Sequence, residues 1–245
     1  MPSSREKLQP FSEHLSELRS RLLSSAVFFI IGTIFGYLLH ERILAVLIAP
    51  LGQPVFYSSP AGGFDFLIKL SFLFGLAISI PVLVFHTLRF IEPVLPPQSP
   101  RKMLLVLVSS CLLLIAGVLF AYFVSLPAAL YFLGSFTSEG VQALISASDY
   151  FSFVTRYLLG FGLLFQLPLV LLVINSVQRI PIGQLLGLEK WVVLLSFVVA
   201  AVLTPTPDIF NQLLMALPLI ALYQITVVLV WLVNSRTRQV RGEID

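Results

Sequence analysis

The side chains best placed to do chemistry in this sequence are a few acids set among cations. In Phe11-Ser12-Glu13-His14-Leu15-Ser16-Glu17-Leu18-Arg19-Ser20-Arg21-Leu22, Ser12 can cap a helix and Glu13 falls in its first turn, where negative charge suits the helix dipole. Leu15, Leu18 and Leu22 recur at helical spacing, so the stretch reads as a short amphipathic helix with Glu17 off its apolar stripe. Two chemistries are open to Glu17. It can pair with Arg21 one turn on, an interaction worth a few tenths of a kcal/mol. Or it can receive a guanidinium from outside the chain through a bidentate, charge-assisted pair.

A second group lies in Arg89-Phe90-Ile91-Glu92-Pro93-Val94-Leu95-Pro96-Pro97-Gln98-Ser99-Pro100-Arg101-Lys102, where four prolines in eight residues stiffen the chain. Phe90 and Leu95 can form an apolar seat beside Glu92; the plain alternative is a solvated connector. A third group is made of amides inside apolar runs. Gln166 precedes Pro168, Gln224 sits in Leu222-Tyr223-Gln224-Ile225, and Asn211 and Gln212 follow a turn at Asp208. A buried amide in lipid needs a partner, so each is either glue between helices or a docking point for another chain's helix. The remaining reactive types form no constellation. His14, His40 and His86 are scattered, Cys111 is single, and no metal-ligand spacing, nucleophile elbow or phosphate loop is present. The sequence thus points away from an enzyme and calls for no cofactor or metal. All acids fall in loops, tails or span ends, which argues against a pump carrying protons on its own buried carboxylate.

Apolar runs must position these groups. Of 245 residues, 58% are apolar and 11% charged, with a mean hydropathy of +0.97, which excludes a water-soluble globule and a disordered chain. A membrane-crossing helix needs about 20 apolar residues. Six runs qualify or nearly do: about 22–39, 66–88, 103–126, 153–177, 191–203 and 213–233. Read as helices, they make one all-α polytopic membrane domain over 1–245, kinked at Pro81, Pro168 and Pro218. The fifth run is short and is followed by Thr204-Pro205-Thr206-Pro207-Asp208, so the fifth and sixth spans read as a short hairpin, beneath which the membrane must thin or a partner must cover the gap; the plain alternative is that Leu185, Leu186 and Leu188 extend the helix past Glu189 and Lys190, whose charges snorkel. Residues 41–65, rich in Pro and Gly, suggest a turn-rich cap. Twelve of the 15 Lys and Arg residues lie in the two tails and the loops after spans two and four; only Arg42, Lys69 and Arg156 fall near the other side. Such bias places both termini in the cytoplasm. The net charge of +3 is therefore a topology signal, not a nucleic-acid footprint.

The chain resembles the C subunit of the twin-arginine protein translocase, the TatC family. The resemblance rests on His14-Leu15-x-Glu17-Leu18-Arg19-x-Arg21-Leu22 before the first span and on Phe90-Ile91-Glu92-Pro93-Val94-Leu95 in the first cytoplasmic loop. Further along it rests on Phe120-Ala121-Tyr122-Phe123 with Leu126-Pro127, on Phe161-Gly162-x-x-Phe165-x-x-Pro168, and on Pro207-Asp208-x-x-x-Gln212-x-Leu214-x-Ala216-x-Pro218. These occur in order along nearly the whole chain. The resemblance implies a cytoplasmic-membrane receptor for signal peptides with two consecutive arginines. It also implies assembly, in a receptor complex with several copies of itself, with small single-span subunits of the TatA/TatB type, to move folded proteins across the bilayer. It assigns signal binding to Glu17, Arg19, Phe90, Glu92, Pro93 and Leu95, and partner docking to Gln166, Pro205, Asp208, Gln212 and Gln224.

Three departures stand out. Many relatives carry Glu at the position of Gln166, and some at that of Gln224. They also place a second acid just after the first-loop motif, where this chain has Gln98-Ser99-Pro100-Arg101-Lys102 and Glu92 is the nearest substitute. Two alternatives stay open: a TatC-like protein with altered or lost signal recognition, and a small-molecule transporter with broken helices, although no internal repeat supports the latter.

Overall fold

The computed structural model describes residues 11–57, 59–91, 100–136, 144–204 and 208–242; for residues 11–18, 21, 88–91, 100–103, 177 and 236–242 it describes the backbone only. Among the described residues there are nine α-helices: α1 (Phe11–Leu38), α2 (His40–Ile48), α3 (Gly62–Ile91), α4 (Pro100–Phe120), α5 (Leu126–Gly134), α6 (Ala147–Leu164), α7 (Leu167–Val177), α8 (Ile182–Leu203) and α9 (Ile209–Gly242). Among the described residues there is no β-strand, only an isolated bridge between Phe56 and Ser146. Among those residues, five helical stretches are long and apolar enough to cross a membrane, or six if α1 and α2, bent by 76° at their junction, count as one. The chain is a multi-pass, all-α membrane protein, and the large apolar side chains exposed along α1, α4 and α8 are the surface that lipid would cover.

Several boundaries differ from those read off the apolar runs, each for a local reason. The expected short helix before the first span is instead continuous with it, from Phe11 through Ser12 to Leu38, because no proline falls anywhere between Phe11 and Leu38. The third span does not end at Leu126 but continues to Gly134. A π-helical turn at Ala121–Ser125 absorbs the extra residue, and Pro127 falls in the first turn of α5, where its missing N–H is harmless. The fourth span begins at Ala147 and is broken at Phe165–Gln166, since Pro168 opens α7. The fifth helix starts at Ile182, behind Pro181, not at Trp191; Leu185, 1% exposed, packs against Tyr223, Val227 and Val230 and draws the extra turns into the fold. At 22 residues α8 is the shortest of the five straight candidates, yet it rises about 33 Å, so its length alone does not demand a thinned membrane. The sixth helix also outruns its apolar run, from Ile209 to Gly242.

Two packing units result. The larger joins α1 to α3, α3 to α4 and α6, and α4 to α6 around Phe66, Val154, Tyr157 and Phe161, with Met215 and Ala216 of α9 closing one side. The smaller joins α7, α8 and α9 around Leu185 and Val230. The turn-rich segment after α1 is a cap held by specific bonds. Tyr122 and Tyr150 donate to the carbonyls of Val46 (2.7 Å) and Leu47 (2.6 Å), which the last turn of α2 leaves open. The bridge at Phe56 ties the cap to the start of α6 (Phe56 N to Ile145 O 3.0 Å, Ala147 N to Phe56 O 2.8 Å), and Gly52, at φ 68°, makes the turn out of a 3-10 turn at Ala49–Leu51.

Candidate functional site

The signal-binding residues expected from the sequence lie on α1, on the end of α3 and in the loop that follows. The crossing of α1 and α3 decides whether they meet. Gly32 faces Gly75 and Gly36 faces Ser71, so a Cβ on Gly32 would stand 2.9 Å from the Cα of Gly75, and one on Gly36 would stand 3.1 Å from the Cα of Ser71. The contacts run in opposite directions along the two helices, so the pair is antiparallel. Glu17 precedes Gly32 by the same number of residues as Phe90 follows Gly75, about 22 Å along each axis. The backbones of Glu17 and Phe90 therefore emerge at the same end of the helix pair. Arg19 is exposed on α1 in that region. The side chains of Glu17 and Phe90, and the whole of Glu92, Pro93 and Leu95, lie outside the described residues, as does Pro205 of the partner-docking set.

The intramembrane amides are all engaged within the chain. Gln166, 2% exposed, accepts from the Ser110 hydroxyl at 2.7 Å and donates to the Ser110 carbonyl at 3.1 Å and, more weakly, to the Gly162 carbonyl at 3.4 Å. It is a lock between α4 and the α6–α7 break, where the interrupted helix leaves polar groups to satisfy. A partner helix would have to open that contact to reach it. Replacing Gln166 with Leu is expected to destabilise the protein by about 1–2 kcal/mol, as a lower midpoint of thermal unfolding in detergent; the magnitude follows from two short interhelical bonds in a membrane setting.

Asp208 is the N-cap of α9: its carboxylate accepts from the Asn211 N–H at 2.7 Å and from the Asn211 amide at 2.9 Å. Gln212 donates to the Phe197 carbonyl at 2.9 Å and thereby holds the α8–α9 hairpin. Its side chain is half-buried. Gln224 donates to Glu189 at 2.5 Å, again between α9 and α8.

Glu189 corrects the expectation that every acid lies in a loop, tail or span end. It sits inside α8, half-buried, and answers an amide on the neighbouring helix. The sequence reading leaves two places for it, outside a fifth span that starts at Trp191 or within a helix extended through Leu185, Leu186 and Leu188, and the structure has the second. Sequence reasoning passed over Ser110, a hydroxyl in the middle of an apolar run, and the pair Asn175 and Asn234. Those two amides bond each other at 3.0 Å, and Asn175 takes the Ile180 N–H at 2.9 Å, which fixes the connection from α7 to α8 against α9. The small-residue repeats Gly32/Gly36 and Ser71/Gly75/Ser79 were the legible signal that was missed, since spacing of four on an apolar helix marks a close helix crossing.

Comparison with known proteins adds a family to this geometry. A family model described as Sec-independent protein translocase protein (TatC) matches residues 13–218. Relatives carrying that same description include a protein of Aquifex aeolicus, 34% identical over 95% of this chain and 99% of its own length. One of Desulforapulum autotrophicum is 34% identical over 92% and 86%, and one of Escherichia coli K12 is 35% identical over 91% and 88%. A crystal structure described as the twin arginine translocase receptor TatC in DDM superposes with a TM-score of 0.79 at 35% identity, covering 88% of this chain and 98% of that one.

Proposed function

The chain belongs to the TatC family of Sec-independent protein translocases, and from that premise we propose that it is the signal-receiving core of a twin-arginine export system. In this reading the chain lies in a bacterial inner membrane with both termini in the cytoplasm, an orientation that the Lys and Arg bias supports. Glu17 accepts a guanidinium of an incoming signal peptide, Arg19 borders the site, and Phe90, Glu92, Pro93 and Leu95 form its rigid wall. Guanidinium and carboxylate match as planar forks, and an ammonium cannot reproduce that geometry. Small single-span subunits of the TatA/TatB type dock along the α8–α9 hairpin, at Pro205, Asp208, Gln212 and Gln224; a further contact at Gln166 requires the α4–α7 lock to open. The chain works in a receptor complex with other copies of itself.

The observation that carries the reading is the antiparallel α1–α3 pair, which brings the backbones of Glu17 and Phe90 to one end although they are far apart in sequence. The test is a photo-activatable probe at Arg19 in membranes that hold the full chain. It is expected to capture a twin-arginine signal peptide and to leave its twin-lysine counterpart uncaptured. Equal capture of both would instead favour a family member with altered recognition, the reading suggested by the missing acid in 98–102.

A further inference from the structure

Between α1, α3 and α6 lies a cavity of about 470 Å³, open on one side, that none of the preceding roles uses. One wall is apolar: Phe72, Leu73 and Leu76 of α3, with Phe29 of α1 beside them. Phe72 and Leu76 are 52% and 42% exposed, so the groove opens onto the surface that faces lipid. The other wall is polar and cationic: Lys69 of α3 and Ser152, Thr155 and Arg156 of α6.

Arg156 is the unusual member. It lies well inside α6, within the candidate span Ala147–Ser176, and its side chain is exposed. Among the described residues no hydrogen bond or ion pair engages it. An arginine in a span costs about 2.5–3.5 kcal/mol on insertion scales unless a counter-charge or a path to the interface is supplied. The nearby acid, Asp65, is already paired with Lys69 at 2.6 Å, while Lys69 also reaches the Ser148 hydroxyl at 3.3 Å. Lys69 and Arg156 are the charged residues that line the groove, and with Lys69 paired, Arg156 is the one of the two without an ion-pair partner among the described residues.

We infer that this groove binds one anionic phospholipid of the surrounding bilayer. Its phosphodiester sits between Arg156 and Lys69, the hydroxyls of Ser152 and Thr155 line its seat, and one acyl chain lies along Phe72, Leu73 and Leu76. The charge matches, since a phosphodiester brings the negative charge that the Arg156 guanidinium lacks among the described residues. The shape matches as well. Lys69 stands nearest the cap, Leu76 stands about 10 Å deeper along α3, and the arginine stem bridges the levels by extending toward the headgroup.

The experiment is native mass spectrometry of the full chain in detergent, titrated with phosphatidylglycerol and, separately, with phosphatidylcholine of the same acyl chains. The wild type is expected to retain one phosphatidylglycerol in preference to phosphatidylcholine. Arg156→Gln is expected to weaken that retention about tenfold, the loss of one charge-assisted phosphate contact, and Arg156→Lys to restore most of it. Leu76→Trp, which fills the acyl groove without touching the charge, is expected to weaken it too. Arg42→Gln, which removes an exposed cation outside the groove, serves as the control and is expected to change nothing. Equal retention of the two lipids overturns the inference. So does an Arg156→Gln protein that binds like wild type, an Arg42→Gln protein that loses as much as Arg156→Gln, or a cross-linker at Phe72 that in intact membranes recovers a peptide segment and no lipid.

Discussion

Glu17→Gln is expected to abolish capture of a twin-arginine signal while leaving the protein folded and inserted. The substitution keeps the length of the side chain, its oxygen and its helical propensity, so α1 has no reason to change. It removes one formal charge and converts one acceptor of a bidentate pair into a donor, which then faces a guanidinium that can only donate. A hydrogen bond to a charged group at a partly desolvated surface is worth about 1.5–3 kcal/mol, so affinity for the signal should fall on the order of a hundredfold. Glu17→Asp keeps the charge but draws the carboxylate back, and is expected to fall between the two. Binding of a synthetic signal peptide to purified protein in detergent measures all three. The wild-type affinity should also weaken as salt rises, because an ion pair open to water, as proposed for Glu17, is screened; the Glu17→Gln protein should show less of that dependence. A Glu17→Gln protein with wild-type affinity would remove Glu17 from the site and leave the wall residues of the first loop without an acidic centre.

The class of fold was legible in composition, because only helices and closed barrels satisfy their own backbone in lipid and the apolar runs are continuous, not alternating. The ends of the helices were not legible from hydropathy. At α8 the run stops at Trp191, but the helix is decided by Pro181 at its start and by the burial of Leu185 against Tyr223, both of which depend on where α9 lies. At α5 a proline that reads as a stop is placed in a first turn, and a π turn upstream makes the register work. The polar residues inside the spans were legible as residues that need partners, but not as to which partners. Gln166 meets Ser110, and Gln224 meets Glu189, across helix pairs that only the packing of α4 on α6 and α8 on α9 brings together. In the α8–α9 pair of this chain Glu189 supplies the carboxylate and Gln224 the donor.

Gly75→Leu is expected to be the most damaging single change outside the site, and to abolish signal capture from a position deep in α3. In water, the hydrophobic effect would tolerate a looser contact between α1 and α3. In lipid that drive is absent, and two helices stay together through close packing of small residues. Here α1 presents Gly32 and Gly36 and α3 presents Ser71, Gly75 and Ser79. The hydroxyls of Thr33, Ser71 and Ser79 bond back to carbonyls of their own helices, to Phe29 at 2.8 Å, Leu67 at 2.7 Å and Gly75 at 2.8 Å. The contact is therefore one of shape, with no hydrogen bond among these hydroxyls to compensate for a gap. A Cβ on Gly75 would stand 2.3 Å from the Thr33 hydroxyl, 2.6 Å from the Phe29 carbonyl oxygen and 3.0 Å from the Thr33 nitrogen, and two of those three are backbone atoms that cannot swing aside. The helices must separate or tilt, at about 3 kcal/mol for a strained insertion of this kind. Because Glu17 and Phe90 sit about 22 Å out along the two axes, a small change of crossing angle at Gly75 becomes a displacement of several ångströms at their end. The expected result is a lower unfolding midpoint in detergent together with loss of twin-arginine capture in membranes. Gly32→Ala, whose Cβ would meet Gly75 at 2.9 Å, should show a milder form of both. Gly183→Leu is the matched control, since nothing lies within 4 Å of a Cβ placed there. A Gly75→Leu protein that melts and captures like wild type would mean that α1 is held by something other than this crossing, and the alignment of Glu17 with Phe90 would lose its physical basis.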